Sequence, residues 1–370
     1  MARLGDVATY INGYAFKPTD WSDEGIPIIR IQDLTGNSYQ ANRLKGNYDT
    51  KYEVNCGDVL ISWSASLGVY VWTGEKAVLN QHIFKVQFDK VEVDKNFFVH
   101  QVERILNNAS GEAHGATMKH LTKPVFDSLP FYLPNIEEQK KIANELNKVS
   151  NLISLRKQQL SKLDELVKSR FVELFGACEE RKGLEEYASL ITKGASPKWQ
   201  GVDYCEEGTL FVTSENVREG YLDLSKRKYL DNKINEIQPR SMLKRNDILI
   251  NIVGASIGRA AVYDCDEVAN INQAVALVRV DYSQINQTYL MTFLNSPQAI
   301  EMYGKMKKGG ARDNLSLQNI ADLQIPVASI DLQNQFATFV EQTDKSKLAI
   351  QKSLEKLETL KKALMQKYFG

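Results

Sequence analysis

The residue types that carry out catalysis are present, but their spacing matches none of the arrangements that enzymes use. The four histidines, His82, His100, His114 and His120, are not spaced as metal ligands. The sequence contains no GxxxxGK[ST] phosphate loop, no HExxH, no GxGxxG and no Asn-Pro-Pro-aromatic segment. We therefore predict no catalytic residues, no metal site and no enzymatic activity in the isolated chain.

Basic side chains are concentrated in two segments that suit an anionic surface. Residues 305–312 are basic, rich in glycine and free of acidic side chains. Such a segment can follow a phosphate backbone closely, so we expect it to contact phosphate. The second segment, residues 226–245, also contains Asp231 and Glu236, and a solvated face explains it equally well.

The composition limits the kind of protein this is. The 370 residues carry 46 basic and 46 acidic side chains, so the net charge is zero. This balance argues against nucleic-acid binding through bulk positive charge, but it allows a local basic face. The four cysteines form no CxxC pair, which favours reduced thiols over a zinc site. Because the sequence has no signal-peptide core and no membrane-spanning apolar stretch, we expect a cytoplasmic protein.

The sequence contains an internal repeat. The matched positions are Gly13 with Gly194, residues 57–62 with 246–251, 66–68 with 256–258, and 80–81 with 272–273. Self-similarity over such a distance indicates two copies of one structural unit.

Each copy ends in a long helix whose apolar residues recur in steps of four and three, the spacing of a coiled-coil seam. In the first helix these residues are Ile142, Leu146, Val149, Ile153, Leu160, Leu163, Val167 and Leu174. In the second helix they are Phe336, Val340, Ile350, Leu354, Leu357, Leu364 and Tyr368. Arg156, Arg170, Lys347 and Lys361 complete the two ladders. These polar residues either fix the register or extend to solvent from the edge of the seam.

A helix with an apolar seam needs a partner, because it would otherwise expose that seam to water. The simplest arrangement pairs the two helices of one chain as an antiparallel coiled coil with pseudo-two-fold symmetry. Pairing between two chains is the alternative. At ~1.5 Å per residue each helix would be roughly 58 Å long. A spacer of this length suits duplex DNA, which is itself two-fold symmetric and has half-sites about 34–36 Å apart.

The predicted fold class is α+β, with two mixed α/β domains that are each followed by a long helix. The predicted boundaries are 1–135 for the first domain, 136–176 for the central helix, 177–330 for the second domain and 331–370 for the C-terminal helix. Within the first domain, the spacing predicts strands at 27–31, 58–62, 84–88 and 129–134 and a short helix at 97–106.

Taken together, these features resemble the specificity (S) subunit of Type I restriction-modification systems. The resemblance covers the whole chain and rests on four duplicated features. They are the glycines Gly13 and Gly194, a Gly/Asn-Asp-[Val/Ile]-Leu-Ile strand followed by Ser-x-x-Gly or Ser-x-Gly, the Asn-Gln pair, and a Gln after the Pro before each long helix. We match these glutamines as Gln139 and Gln335. Because Gln335 lies deeper in its segment, the first turns of the two helices match only loosely.

The resemblance implies a non-catalytic subunit that recognises a DNA sequence. Its two domains would be target-recognition domains, each reading one half of a bipartite, asymmetric sequence, and its helices would be conserved spacers. It also implies two methyltransferase subunits that bind this chain and methylate adenines with S-adenosylmethionine. Restriction subunits with translocase activity would join them to cleave DNA. No cofactor is expected in this chain itself.

The repeat identifies which loops should contact double-stranded DNA, since Arg and Lys bind phosphates and Arg, Asn, Gln or Ser bind base edges. The first-domain candidates are Tyr14, Phe16, Lys17, Arg30, Gln32, Ser64, Ser66, Lys119 and His120. The second-domain candidates are Ser196, Lys198, Trp199, Ser214, Asn216, Arg218, Arg259, Lys307, Lys308 and Arg312. The alternative function is a coiled-coil scaffold that binds two protein partners and no DNA, which the zero net charge favours.

Overall fold

A computed structural model of the chain describes residues 1–36, 42–111, 122–306 and 313–370. The chain forms two compact units. The first is Met1–Lys157 with Lys352–Gly370, and the second is Gln158–Gln351. The boundaries predicted from the sequence separate the domains from the long helices. In the structure, each compact unit instead contains one domain and a part of both long helices. Within the described ranges, no helix is long and apolar enough to cross a membrane.

Most of the helices and strands occur in the same order in both copies. The helices are α1 Leu4–Val7, α2 Ile31–Leu34, α3 Lys95–Gly111, α4 Lys123–Ser128, α5 Ile136–Phe175, α6 Lys233–Ile237, α7 Gln287–Leu294, α8 Pro297–Met306, α9 Leu317–Ala321 and α10 Ile330–Phe369. The first-unit strands are β1 Ala2–Arg3, β2 Thr9–Asn12, β3 Trp21–Ser22, β4 Ile26–Ile29, β5 Arg43–Leu44, β6 Glu53–Val54, β7 Val59–Ser62, β8 Gly68–Val71, β9 Ala77–Leu79, β10 Ile83–Gln87 and β11 Pro130–Phe131. The second-unit strands are β12 Arg181–Gly183, β13 Ala188–Lys193, β14 Tyr204–Cys205, β15 Thr209–Val212, β16 Tyr229–Leu230, β17 Ile248–Asn251, β18 Ala260–Val262, β19 Ala269–Ile271, β20 Val275–Val280 and β21 Gln324–Pro326.

The two units share one strand order, except that the edge strand β6 of the first unit has no counterpart among the described strands of the second. The sheets of the first unit are β2-β10-β7-β8, β3-β5-β4-β9-β6 and β1-β11. Those of the second unit are β13-β20-β17-β18, β14-β16-β15-β19 and β12-β21. In each unit one pair is parallel, β4 with β9 and β15 with β19. The predicted duplication of a mixed α/β unit is confirmed.

The predicted strands and helix lie near the observed elements, with corrections at their ends. The strand expected over 27–31 ends at Ile29, because the Asp33 carboxylate accepts a hydrogen bond from Arg30 N at 2.8 Å and starts α2. The helix expected over 97–106 is longer and forms α3. The strand expected over 129–134 is reduced to β11, where two residues pair with β1.

The repeated Gly/Asn-Asp motif is explained by a turn before the central strand of each unit. Gly57 and Asn246 both adopt a positive φ, 93° and 72°, which glycine and asparagine tolerate best. The following aspartate closes the turn: Asp58 accepts from Asn55 N at 2.9 Å, and Asp247 accepts from Lys244 N at 2.7 Å. The next four residues form β7 and β17, which are buried throughout. The motif therefore specifies the scaffold.

The two long helices run antiparallel within each unit. In the first unit, the Tyr368 hydroxyl donates a hydrogen bond to Glu145, and Lys157 pairs with Glu358 at 3.1 Å. In the second unit, Lys347 pairs with Asp164 at 2.7 Å, and the Phe171 and Phe336 rings lie 5.5 Å apart. In both units, residues that come later in α5 contact residues that come earlier in α10. The predicted antiparallel pairing within one chain is confirmed.

The residues of the predicted ladder are buried or half-buried in both helices. Among the polar ladder positions, Lys347 forms an ion pair across the seam, as a register-fixing residue would. Lys361 binds Glu103 of α3 at 2.9 Å, and Arg170 pairs along its own helix with Glu173 at 2.8 Å. Arg156 is half-buried. Lys347 therefore fits the register-fixing explanation, whereas Lys361 pairs with the domain and Arg170 pairs within its own helix.

The long helices also complete the core of each unit. Ile142, Leu146 and Met365 join the buried cluster of the first unit. In the second unit, Phe171 and Phe175 pack against Phe336 and Tyr289, with Phe175 and Tyr289 ring centroids 4.6 Å apart. Phe171 and Phe175 are not part of the predicted ladder, and they contact both the domain, through Tyr289, and the partner helix, through Phe336.

The match of Gln139 with Gln335 is wrong, because the structural equivalent of Gln139 is Gln333. Gln139 is 1% exposed, donates to Pro134 O at 2.8 Å and accepts from Asp94 N at 2.9 Å. Gln333 is 3% exposed, donates to Ala328 O at 2.8 Å and accepts from Asn286 N at 2.9 Å. Each glutamine joins the start of a long helix to the start of α3 or α7. The first turns of the two helices therefore match closely.

We predict that Gln333→Ala destabilises the protein by about 1–3 kcal/mol, because it leaves the half-buried Ala328 carbonyl and Asn286 N–H without these hydrogen bonds. The matched control is Gln335→Ala, two residues away on the exposed face of α10. Urea unfolding followed by circular dichroism measures both variants. Equal effects of the two substitutions would contradict the role given to Gln333.

Candidate nucleic-acid interface

In the second unit, several loops meet at the edge where two parallel strands end. β15 and β19 run in the same direction, so the residues after Val212 and after Ile271 emerge side by side. Loops at the carboxyl ends of parallel strands commonly form binding sites. Here they enclose a polar depression of about 220 Å³. Its lining residues are Ser196, Pro197, Tyr204, Phe211, Thr213, Ser214, Glu215, Lys228, Asn272 and Gln273.

A repeated glycine brings a further loop to this edge in each unit. A Cβ atom at Gly194 would lie 1.7 Å from Ile271 O, and one at Gly13 would lie 2.0 Å from Asn80 O. Only glycine permits this approach of two backbones. The glycines and Asn-Gln pairs that are duplicated in the sequence are therefore neighbours in space.

The corresponding edge of the first unit carries aromatic residues. Tyr14 N donates to Leu79 O at 2.8 Å, and Gln81 N donates to Tyr14 O at 2.9 Å. The exposed Tyr14 ring lies 5.0 Å from Phe16 and 5.5 Å from Tyr52. Arg30, which follows β4, lies over Trp21 at 5.5 Å from the ring centroid.

A buried asparagine ties the serine loops together in the second unit. Asn251, at the end of β17, donates to Ser214 O at 3.0 Å and to Ser256 Oγ at 3.1 Å. This bond joins the loop after β15 to the loop that carries Arg259. Asn251 is not among the residues predicted to contact DNA. Its side chain is buried and holds two loops together, so it does not form part of the surface.

Two of the candidate residues hold loops in shape and do not face outward. Asn216 is 7% exposed, accepts from Thr213 N at 2.9 Å and donates to Asp223 O at 2.9 Å. Ser64 is buried in a tight turn, where its carbonyl accepts from Ser66 N at 2.6 Å. We therefore assign both residues to loop structure.

The remaining candidates differ in exposure. Tyr14, Lys17, Ser66, Lys198 and Trp199 are exposed. Phe16, Arg30, Gln32, Ser196, Ser214, Arg218 and Arg259 are half-buried. Lys119, His120, Lys307, Lys308 and Arg312 lie outside the described residues. Their assignment to DNA contact stays a prediction.

Sequence reasoning missed several residues that line the depression. The Asn272-Gln273 pair was recognised as a repeat but not as a candidate contact, although duplication of polar residues after a buried strand was the available signal. Tyr204 and Glu215 carry no repeated pattern that would have found them. Their position at the depression depends on the pairing of β15 with β19.

Ion pairs balance much of the basic segment 226–245. Arg227 pairs with Glu267 at 2.7 Å, Lys228 with Glu215 at 3.2 Å, and Arg245 with Asp266 at 2.7 Å. Nearby, hydrogen bonds from Ser225, with a further contribution from Arg218, hold the pKa of Asp223 below its usual value. The segment as a whole has the character of a solvated face. In the parts of the chain that the structure describes, no cluster of three or more His, Cys, Asp or Glu could hold a metal ion.

Comparison with known proteins identifies the family. A family model described as the Type I restriction modification DNA specificity domain matches residues 1–165 and 200–362. The chain belongs to this family. As a specificity subunit it recognises a DNA target with two domains and is non-catalytic, which confirms the resemblance drawn from the sequence.

Two similar proteins match this chain over nearly its whole length. The EcoBI specificity subunit of Escherichia coli is 26% identical over 402 residues, covering 99% of this chain and 84% of that protein. The MjaVIII specificity subunit of Methanocaldococcus jannaschii is 23% identical, covering 99% and 90%. Both relatives are named as specificity subunits of Type I restriction enzymes.

Solved structures support the fold. A structure concerned with complex assembly and conformational transition of the type I R-M system matches with a TM-score of 0.60 and 15% identity, covering 100% of this chain and 96% of that chain. An S subunit from M. genitalium matches with a TM-score of 0.56 and 16% identity, covering 100% and 95%.

We predict that Lys198→Ala weakens DNA binding and lowers the slope of log affinity against log salt concentration by about 1, the effect of one lost phosphate contact. The control is Arg227→Ala, which removes the same charge from a residue already paired with Glu267. Fluorescence anisotropy across a salt series measures the slope. An unchanged slope for Lys198→Ala would contradict the contact.

Proposed function

We propose that each unit reads one half of a bipartite, asymmetric sequence in double-stranded DNA. The observation that carries this proposal is the duplicated set of loops at the carboxyl ends of β4 and β9 and of β15 and β19. The scaffold of these loops is shared, while their side chains differ. Tyr14 and Arg30 occupy the first edge, and Ser196, Ser214 and Lys228 occupy the second. Two different half-sites follow from this difference.

The chain recruits the catalytic subunits. Two methyltransferase subunits bind it and methylate adenines at the recognised site, with S-adenosylmethionine bound in those partner subunits. Restriction subunits with translocase activity join this complex to cleave DNA. The exposed faces of α5 and α10 provide much of the surface on which the methyltransferases dock. The complex acts in the cytoplasm.

The direct test reconstitutes the chain with its methyltransferase and incubates the complex with genomic DNA. Sequencing that detects modified bases then identifies the methylated motif. The proposal expects one asymmetric motif with two defined parts and an undefined gap. Methylation without sequence preference would refute it.

Exchanging residues 1–135 for the first domain of another family member should change one half of the methylated motif and leave the other unchanged. The reason is that the two sets of reading loops belong to separate compact units. Sequencing of modified DNA reports both halves in one experiment. A change in both halves would contradict independent reading.

Inserting one heptad into both long helices, after Lys157 and after Gln351, should lengthen the gap between the half-sites by about three base pairs, since seven helical residues span about 10 Å. Insertion into both helices keeps the seam in phase. The bases of each half-site should stay the same. If the insertion altered those bases, the helices would not act as a spacer.

A further inference from the structure

One large aromatic side chain of the second unit takes no part in packing. Trp199 is 87% exposed. The other three tryptophans have partners: Arg30 lies over Trp21, Trp63 stacks on Phe84 at 5.6 Å, and Trp72 Nε1 donates to Glu75 O at 2.8 Å. Among the described residues, no ring or cation packs against Trp199. Its indole therefore contributes little to the stability of the fold.

The backbone that carries Trp199 is firmly anchored. Pro197 and Val202 are buried on either side of it, and Val202 N donates to Pro197 O at 3.1 Å. Trp199 N donates to Ser196 O at 3.1 Å, and Gly201 ends the turn with a φ of 66°. The indole is thus presented from an ordered turn, so that contact with a ligand requires little further ordering of the chain.

The surroundings of Trp199 suit the DNA duplex. Ser196 and Pro197, which precede it in this turn, line the polar depression, together with the exposed Tyr204. Lys198, the residue before Trp199 in the chain, is an exposed cation. Apolar side chains inserted between base pairs, with cations nearby for the phosphates, are a recurring way in which proteins bend DNA. Aromatic rings also stack on any base, whatever its sequence.

The first unit has no aromatic side chain at the equivalent position, and Trp21, which follows the equivalent turn, is covered by Arg30. Its equivalent turn, Pro18–Asp20, carries Thr19 and Asp20 where the second unit carries Lys198 and Trp199. The exposed Tyr14 ring is held against Phe16 and Tyr52 and does not stand alone. The feature is therefore specific to the second unit and is not part of the repeated scaffold.

We propose that Trp199 inserts its indole between two adjacent base pairs at the edge of the second half-site and unstacks them. The proposal rests on the DNA-reading function proposed above. It means that the two half-sites are read by different physical means. The second half-site is selected partly by deformability, which favours pyrimidine–purine steps because these unstack at lower cost.

The test uses the full chain in complex with its methyltransferase subunits and the motif that the wild-type complex methylates. Duplexes carry 2-aminopurine, whose fluorescence rises when it is unstacked, at successive positions along the second half-site. The variants are Trp199→Ala, Trp199→Phe and the control Tyr221→Ala, which removes another exposed aromatic ring of the same unit.

The wild-type complex should raise the fluorescence at one step, and Trp199→Phe should retain this rise. Trp199→Ala should abolish the rise and weaken binding to the motif by about 5- to 150-fold, the range expected from the loss of one stacked ring. Tyr221→Ala should behave as wild type. A mismatch at the same step should tighten binding by the wild type but not by Trp199→Ala. Because Trp199 is exposed, the Trp199→Ala and Trp199→Phe variants should have the same melting temperature as the wild-type protein.

Three results would overturn the inference. The first is specific methylation by the wild type with no rise in fluorescence at any position, which leaves the proposed function intact. The second is wild-type affinity and fluorescence in Trp199→Ala. The third is an effect of Trp199→Ala on assembly with the methyltransferase and not on DNA. If the wild type shows no sequence preference, the proposed function fails and the inference fails with it.

Discussion

A helix of 40 residues with an apolar face cannot remain exposed to water, and this constraint organises the whole chain. The seam is covered by the other long helix, which comes from a distant part of the sequence. Near residue 145 of α5 the partner is near residue 368 of α10, and near residue 171 it is near residue 336. The helices also complete the hydrophobic core of each unit, which includes side chains from the helices as well as from the domain.

The two copies agree best at positions where the backbone conformation restricts the residue type. Gly13 and Gly194 allow two loops to touch, and Gly57 and Asn246 adopt a positive φ at the same turn. The equivalent buried glutamines join the long helices to α3 and α7 through the same two hydrogen bonds. The side chains that face outward are under no such constraint. A duplicated scaffold can therefore carry two different reading surfaces.

The zero net charge of the chain is compatible with DNA recognition because carboxylates pair with particular basic side chains and leave others exposed. Many basic residues of the second unit are paired with carboxylates, including Arg227, Lys228 and Arg245. Such exposed pairs add little to stability, but they limit nonspecific attraction to phosphate. Lys17 and Lys198 are exposed, and their contact with phosphate stays a prediction.

The sequence by itself determined the duplication and the family, and it favoured antiparallel pairing of the two helices within one chain over pairing between two chains. These conclusions follow from periodicity and from repeated spacing, which survive when individual side chains change. Only the tertiary structure decided which residues meet at the carboxyl ends of the parallel strands. It placed Asn272 beside Ser196, buried Asn216 within its own loop and replaced Gln335 by Gln333 as the partner of Gln139. It also separated Trp199 from the packed aromatic residues. The physical reason is that these contacts join segments far apart in sequence, and the parallel pairing of β15 with β19 that brings them together leaves no local pattern along the chain.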